Sequence, residues 1–335
     1  MKTSETAKLF RTKDNFLLLT HKNPDGDTLG SAAALCSALR RAGKTAFLFP
    51  NAEMTEKYRP FAEPYHAPAG FEPAFTVAVD IAAEGLLPPG FSGRVDFCID
   101  HHPSNTHYAP RNLIAPSKAS CGEIVLQLIK ALNGDVSEEE ANLLYVAVST
   151  DCGCFVYANT KADTLRAAAE LLDLGADNQT LNIKLFRKIS RARMKIEGMI
   201  LSGMEFYRGG KISLATITQE MLREAGATEE DLDDISGLAG KAEGAILSIT
   251  VREQPGGESR ISLRSSPEVD CSEICAVFGG GGHAMAAGCT IQSPPEKAKR
   301  MLLDVIDEVW KCTASSLSIS RGTGPASTWP PSSRV

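Results

Sequence analysis

No stretch of this 335-residue chain approaches the run of about 20 apolar residues that a membrane-spanning helix needs. Near the amino terminus the longest apolar segment is residues 16–19, shorter than the core of a secretory signal. Cysteines are present without a disulfide pattern. They number nine, an odd count, and several (Cys36, Cys98, Cys121) fall inside apolar segments, so a reducing, cytoplasmic location is expected. A broad excess of positive charge is missing as well. A net charge of −6 argues against a binder of long duplex nucleic acid, which needs a basic surface to displace counterions, and leaves open a short anionic ligand held at metals. With 43% hydrophobic and 23% charged residues, the chain has material for the cores of about two domains.

The chemistry starts at His21-Lys22-Asn23-Pro24-Asp25-Gly26-Asp27. An apolar run ends in a turn that holds one imidazole and two carboxylates, and a small-residue helical segment follows. Asn-Pro and Asp-Gly force a tight turn, clustering His21, Asp25 and Asp27 at a strand's carboxyl end, where open α/β sheets place their chemistry. By itself this reads equally as a polar turn with an Asp capping the next helix. Three more segments shift the balance: Val77-Ala78-Val79-Asp80, Phe97-Cys98-Ile99-Asp100-His101-His102 and Val146-Ala147-Val148-Ser149-Thr150-Asp151 each read as a short buried strand running into acid or imidazole.

Strands at 16–19, 45–49, 75–79, 95–99 and 145–148 alternate with helices at 31–41, 121–132, 137–144 and 162–174, which describes a mainly parallel α/β sheet. Ser137-Glu138-Glu139-Glu140 is a capping box. From 181 to 203 apolar residues recur at three- and four-residue steps, predicting a long amphipathic helix. Its other face carries Lys184, Arg187, Lys188, Arg191 and Lys195, either a solvated face or a track for an anion. Beyond it, strands at 212–217, 245–252 and 260–265 and helices at 228–237, 271–278 and 295–310 predict a second, smaller α/β domain. The Ser-, Pro- and Gly-rich end reads as disordered. The expected divisions are a catalytic domain at 1–180, a linker helix at 181–207, a substrate domain at 208–312 and a disordered tail at 313–335.

His21, Asp25, Asp27, Asp80, Asp100-His101-His102 and Asp151 put too many carboxylates in one place unless cations neutralise them. Two divalent ions about 3.5–4 Å apart, bridged by one carboxylate, would make a site for phosphoryl displacement. Oxygen-rich ligands with some imidazole suit Mn²⁺ or Mg²⁺. Cys152 and Cys154 raise the rival of a zinc thiolate site, but no second ligand pair accompanies them, and packing cysteines in a small-residue turn is the simpler reading. Gly279-Gly280-Gly281-Gly282-His283 could expose backbone N–H groups to an anion or serve as a hinge; with Arg264-Ser265-Ser266 in the same domain it looks like a phosphate or nucleotide contact.

The set HKNPDGD, VAVD, IDHH and STD, followed by GGGGHAMAAG, resembles the DHH/DHHA1 phosphoesterases from residue 16 to about 312, most of all the members that degrade very short RNAs and remove the 3′-phosphate of phosphoadenosine phosphate. The resemblance implies an N-terminal DHH domain with His21, Asp25 and Asp80 at one metal and Asp27, Asp80, one His of the pair and Asp151 at the other, with Asp80 as the bridge. His101 is assigned as the ligand and His102 as a phosphate-contacting or proton-donating group. In the smaller C-terminal DHHA1 domain Arg264, Ser265, Gly280, Gly281, Gly282 and His283 would grip the terminal nucleotide. Two Mn²⁺ ions are expected, with Mg²⁺ or Co²⁺ as substitutes, a short RNA or nucleotide as partner, no membrane, and a homodimer. Where many relatives carry T-D-T-G this chain has Thr150-Asp151-Cys152-Gly153, putting a thiol beside a ligand. The competing functions are a linear or cyclic dinucleotide phosphodiesterase, a pyrophosphatase or polyphosphatase, against which the Gly-rich second domain argues, and a catalytically silent nucleotide-binding protein, against which the complete ligand set argues.

Overall fold

The structure is a computed structural model that describes residues 1–232 and 235–317, with side chains of the final helix described through Val309. The chain divides into two units at Lys188/Ile189. The first contains α1 (Thr3–Arg11), β1 (Phe16–Leu19), α2 (Gly26–Arg41), β2 (Ala46–Leu48), α3 (Arg59–Ala62), β3 (Phe75–Val79), β4 (Phe97–Asp100), β5 (Asn112–Ile114), α4 (Cys121–Asn133), α5 (Glu138–Asp151), α6 (Ala162–Asp173) and α7 (Asn178–Asn182). Its five strands are all parallel in the order β2-β1-β3-β4-β5. β1, β3 and β4 are buried throughout, as the continuous apolar runs of a two-sided parallel sheet require.

Helix α2 shows how composition shapes this unit. From Gly26 to Leu39 every residue is buried, and its Ala- and Gly-rich surface lets α4 and α5 pack closely. A Cβ on Gly30 would stand 2.5 Å from the Leu143 carbonyl oxygen and 2.9 Å from the Ala147 nitrogen, so only glycine fits the crossing. On α1, Phe10 packs into Phe16, Phe75 and Phe97 with ring centroids 5.2–5.9 Å apart.

Two sequence expectations fail in this unit. Residues 145–148 are the later turns of α5, not a strand. The capping box at Ser137 starts that helix as expected, but it runs on to Asp151 and is buried on every side over Leu143–Ser149, so no helical periodicity survives in its sequence. The long helix at 181–203 is broken. After α7 comes a π-helical turn, Ile183–Arg187; Lys188 is extended, and Ser190 accepts a hydrogen bond from the Arg193 N–H at 2.8 Å to start a new helix. Ile189, counted in the apolar stripe, is exposed at that break.

The second unit contains α8 (Arg191–Ser202), β6 (Glu205–Tyr207), β7 (Ile212–Ile217), α9 (Gln219–Ala225), β8 (Leu247–Glu253), β9 (Ser259–Ser265), α10 (Cys271–Ala276), β10 (Gly281–His283), β11 (Ala286–Ile291) and α11 (Pro295–Leu317). Its sheet runs β10-β11-β9-β8-β7-β6, antiparallel except between β7 and β8. One core lies between the sheet and α10 with α11; another joins Ala215 and Ile217 to α8 and α9. The helix expected at 228–237 is replaced by short 3₁₀ turns at Glu230–Leu232 and Ile235–Gly237. The backbone of α11 continues to Leu317, past the start of the tail read as disordered from 313; residues 318–335 of that tail lie outside the described residues. Among the described residues no helix is long and apolar enough to cross a membrane.

Candidate metal centre

β1 and β3 are neighbours although β2 lies between them in sequence, so the loops leaving their carboxyl ends diverge and open a crevice. His21 follows β1, Asp80 follows β3, and Asp100 ends β4 with His101 and His102 next. Helix α2 contributes Asp25 and Asp27 from its start. Asp151 is the last residue of α5, so the fourth motif reaches the site from a helix end. A Cβ on Gly26 would lie 2.3 Å from Thr150 Oγ1, and this close approach of two helix ends brings Asp25 and Asp27 to Asp151.

The two readings of Asp25 turn out to be compatible. Its Oδ1 accepts from the Asp27 and Thr28 N–H groups at 3.0 and 3.1 Å, capping α2, and lies 3.5 Å from His21 Nε2. His21 Nδ1 faces the Lys22 carbonyl at 2.7 Å, so that nitrogen carries the proton and the Nε2 lone pair faces Asp25 and Asp80. His101 Nε2 stands 3.7 Å from Asp27, 3.4 Å from Asp80 and 3.8 Å from Asp151. Such separations are too long for good hydrogen bonds. They are near those of donors sharing a cation, since ligand bonds of about 2.1 Å set neighbouring octahedral corners about 3 Å apart.

Asp80 stands between the two groups. Its Oδ2 is 3.8 Å from His21, its Oδ1 is 3.4 Å from His101, the side chain is 3% exposed, and Oδ1 has no hydrogen-bond partner among the described residues. A buried, unpartnered carboxylate oxygen is a cost that a cation would remove. The backbone there is left-handed, φ 62°, which Asp tolerates, and the Asp80 N–H donates to the Ile99 carbonyl at 2.8 Å. Burial, then the charges of Asp27 and Asp25, push its carboxyl well above the usual range. Burial and Asp151 do the same to Asp27, and burial and Asp25 raise Asp151 to about 6. Burial, with His102 beside it, keeps His101 neutral-leaning. Crowded acids and a neutral imidazole fit a divalent cation site.

His102 differs from His101. Its Nδ1 is 2.7 Å from Asp100 Oδ1, and that hydrogen bond raises the imidazole's affinity for a proton. Asp100 is fully buried and satisfied: Oδ1 also accepts the His101 and His102 N–H groups, and Oδ2 accepts Asn105 Nδ2 at 2.6 Å. Sequence reasoning missed Asn105, and it missed the Cys121 and Gly122 N–H groups at the start of α4, which hold Asp27 at 2.6 and 2.9 Å. It also missed Asn159, whose Nδ2 donates to the Asp151 carbonyl at 3.0 Å. None carries a motif, because each reaches the site through a fold contact. Among the described residues no candidate ligand group includes a cysteine, which argues against the zinc rival.

In the second unit the glycine run is neither a hinge nor an open loop. Gly281–His283 forms β10, paired with β11, and a Cβ on Gly280 would meet the Gly288 carbonyl oxygen at 2.3 Å. A groove of ≈ 450 Å³ on the outer face is lined by Arg260, Ser262 and Arg264 of β9, Gly288 of β11 and Gly281. Ser265 Oγ donates to the Val269 carbonyl at 2.6 Å and holds a turn, while Arg264 and His283 are exposed.

The chain belongs to the DHH family: residues 15–148 match the DHH family, N-terminal domain, and residues 211–311 match the DHHA1 domain. Within it, the chain is 34% identical over 299 residues to the bifunctional oligoribonuclease and PAP phosphatase NrnA of Thermus thermophilus, covering 87% of this chain and 89% of that protein. It is 26% identical to the Bacillus subtilis protein of the same name, over 91% of this chain and 97% of that one. The fold matches a crystal structure of an exopolyphosphatase-related protein from Bacteroides fragilis with a TM-score of 0.81 at 23% identity, over 93% and 97% of the two chains. The family read from the motifs is therefore borne out.

Proposed function

We propose that the chain is a manganese-dependent phosphoesterase that hydrolyses RNAs of a few nucleotides to mononucleotides and removes the 3′-phosphate of phosphoadenosine phosphate. The observation that carries the reading is Asp80, one buried carboxylate with an unpartnered oxygen between two ligand groups. The activities named for the Thermus and Bacillus relatives support the substrate class. His21, Asp25 and Asp80 would hold one ion, and Asp27, Asp80, His101 and Asp151 the other. The oxygen-rich ligand set favours Mn²⁺ over zinc. Bound there, the ions supply Lewis-acid charge to a phosphoryl oxygen and an acidified water.

The chain's own groups do the rest. His102, oriented by Asp100 and Asn105, keeps a proton available near the metals and can donate it to a phosphate oxygen or a leaving group. Arg264, Gly281 and His283 offer a guanidinium, an open backbone and an imidazole to a nucleotide end, with Ser265 and Gly280 shaping their turn and Gly282 the hairpin. Purified protein with Mn²⁺ should be assayed on dinucleotides, five-residue RNA, long RNA, phosphoadenosine phosphate, cyclic dinucleotide and pyrophosphate. Release of mononucleotides from the short RNAs is expected; turnover confined to pyrophosphate or to one dinucleotide, or none at all, would reject the reading.

A further inference from the structure

Strand register brings the loop after β2 to the first motif. β1 and β2 pair in parallel with Leu18 opposite Leu48, so three residues further along each segment His21 and Asn51 meet beyond the carboxyl ends. Asn51 is 5% exposed, and its amide is committed at both ends. Nδ2 donates to Thr20 Oγ1 at 3.1 Å and to the His21 carbonyl at 2.9 Å, while Oδ1 accepts the Glu53 N–H at 3.0 Å. Glu53 is exposed, and its Oε2 accepts the Asn23 N–H at 2.8 Å. From the 3₁₀ turn after β3, the Leu86 carbonyl accepts the Lys22 N–H at 2.8 Å.

These bonds fix more than a loop, because a trans peptide unit is a rigid plane whose C=O and N–H point in opposite directions. In the plane between His21 and Lys22, Asn51 holds the carbonyl and Leu86 holds the N–H. In the plane between Lys22 and Asn23, Glu53 holds the N–H, which turns the Lys22 carbonyl the other way, to 2.7 Å from His21 Nδ1. That carbonyl keeps the ring proton on Nδ1 and leaves Nε2 open, 3.5 Å from Asp25 and 3.8 Å from Asp80. Asn23 itself is left-handed, φ 51°, an uncommon conformation that an anchor on its own N–H helps to hold.

We propose that Asn51 and Glu53 are positioning residues for His21: by fixing the two peptide planes around Lys22 they set the imidazole's tautomer and aim its Nε2 at a cation. The proposal rests on the reading of the site as the two-metal centre of a phosphoesterase. Their influence falls on the ion that His21 would hold with Asp25 and Asp80, and much less on the ion given to Asp27, Asp80, His101 and Asp151.

The test uses the full chain, with Mn²⁺ titrated calorimetrically into the chelated protein and turnover of a five-residue RNA followed against Mn²⁺ concentration. Glu53→Ala should weaken one ion about 10- to 100-fold, the usual cost of losing a bond that orients a ligand, and leave the other within about threefold. At saturating Mn²⁺ its kcat should return to within about twofold of wild type with KM for the RNA unchanged, a recovery that a damaged fold would not show. Glu53→Gln keeps an acceptor oxygen and should bind both ions like wild type. Asn51→Asp keeps the shape, loses the donors and should weaken the same ion; because a buried carboxylate also lowers stability, the exposed Glu53 is the deciding position. A double-variant cycle isolates the route: once His21→Ala has removed the imidazole, Glu53→Ala should have no further effect on either ion. Glu53→Ala or Asn51→Asp that binds both ions like wild type overturns the positioning role. So does equal weakening of both ions, a Gln variant as weak as Ala, or a further loss in the absence of His21. Wild type that binds two ions without cleaving RNA would overturn the proposed function and leave the positioning role to be judged by the metal affinities; wild type that binds fewer than two overturns both.

Discussion

Replacing Asp80 by Asn tests the site's central feature with little else disturbed. The amide has the shape of the carboxylate and tolerates the left-handed backbone, φ 62°, whereas Ala there would add strain of about 1–2 kcal/mol. What changes is the charge on a side chain 3% exposed, whose Oδ1 has no hydrogen-bond partner among the described residues and whose neighbours include Asp27, Asp25, Asp100 and Asp151. Removing the ligand proposed to be shared by both groups should lower kcat by more than about a thousandfold, or about 4 kcal/mol in barrier. Stability should move the other way. The uncharged amide removes a buried charge and its repulsion by the neighbouring acids, so metal-free Asp80→Asn should be the more stable protein, by about 1–3 kcal/mol on the scale of an uncompensated buried group. At roughly 2–4 °C per kcal/mol for a unit of this size, Tm rises by about 2–12 °C.

The pH dependence supplies a control. Burial and neighbouring acids raise the folded pKa of Asp80 above its unfolded value, so in the wild type its contribution is fully present below about pH 3.8 and is lost as pH rises through the folded pKa. A protonated carboxyl is neutral like the amide; the variant's advantage should therefore appear near neutral pH and shrink towards pH 4. Calorimetry of chelated and Mn²⁺-loaded proteins reads both quantities. Near-normal turnover, or the same stabilisation by Mn²⁺ in variant and wild type, would refute the bridging role.

Chelation should abolish phosphoesterase activity, and Mn²⁺ should restore it better than Ca²⁺, whose looser geometry misplaces ligands; metal analysis of Cys152→Ser and Cys154→Ser should find the metal content unchanged. His283→Ala should keep its metal and raise KM for a five-residue RNA more than for bis-p-nitrophenyl phosphate, as expected if the exposed imidazole contacts the nucleotide end; equal effects on both would argue against that contact. Gly30→Ala puts a methyl 2.5 Å from the Leu143 carbonyl oxygen and 2.9 Å from the Ala147 nitrogen, both backbone atoms that cannot rotate away. Overpacking of that kind should destabilise by about 1–3 kcal/mol or more, and an unchanged denaturation midpoint would show that the crossing of α2 and α5 is looser.

The family, the parallel sheet and the candidate ligands were legible in the sequence because they are written locally: an apolar run, a turn and a carboxylate adjoin each other in the chain, and a buried parallel strand needs no distant partner to look like one. Tertiary structure decided what depends on partners far away in sequence. Val146–Asp151 looked like a strand because a helix packed on every side loses its periodicity, and only the crossing with α2, through Gly30 and Gly26, shows it as the end of α5. The break at Lys188–Ser190 needed the cap that Ser190 gives to α8, and the glycine run needed β11 to become a strand. His101 and His102, adjacent and chemically identical, could not be told apart by sequence. Asp100 and Asn105 draw one into a hydrogen-bonded chain, and the packing of β3, α2 and α5 turns the other towards three carboxylates, so their different surroundings come from the fold alone.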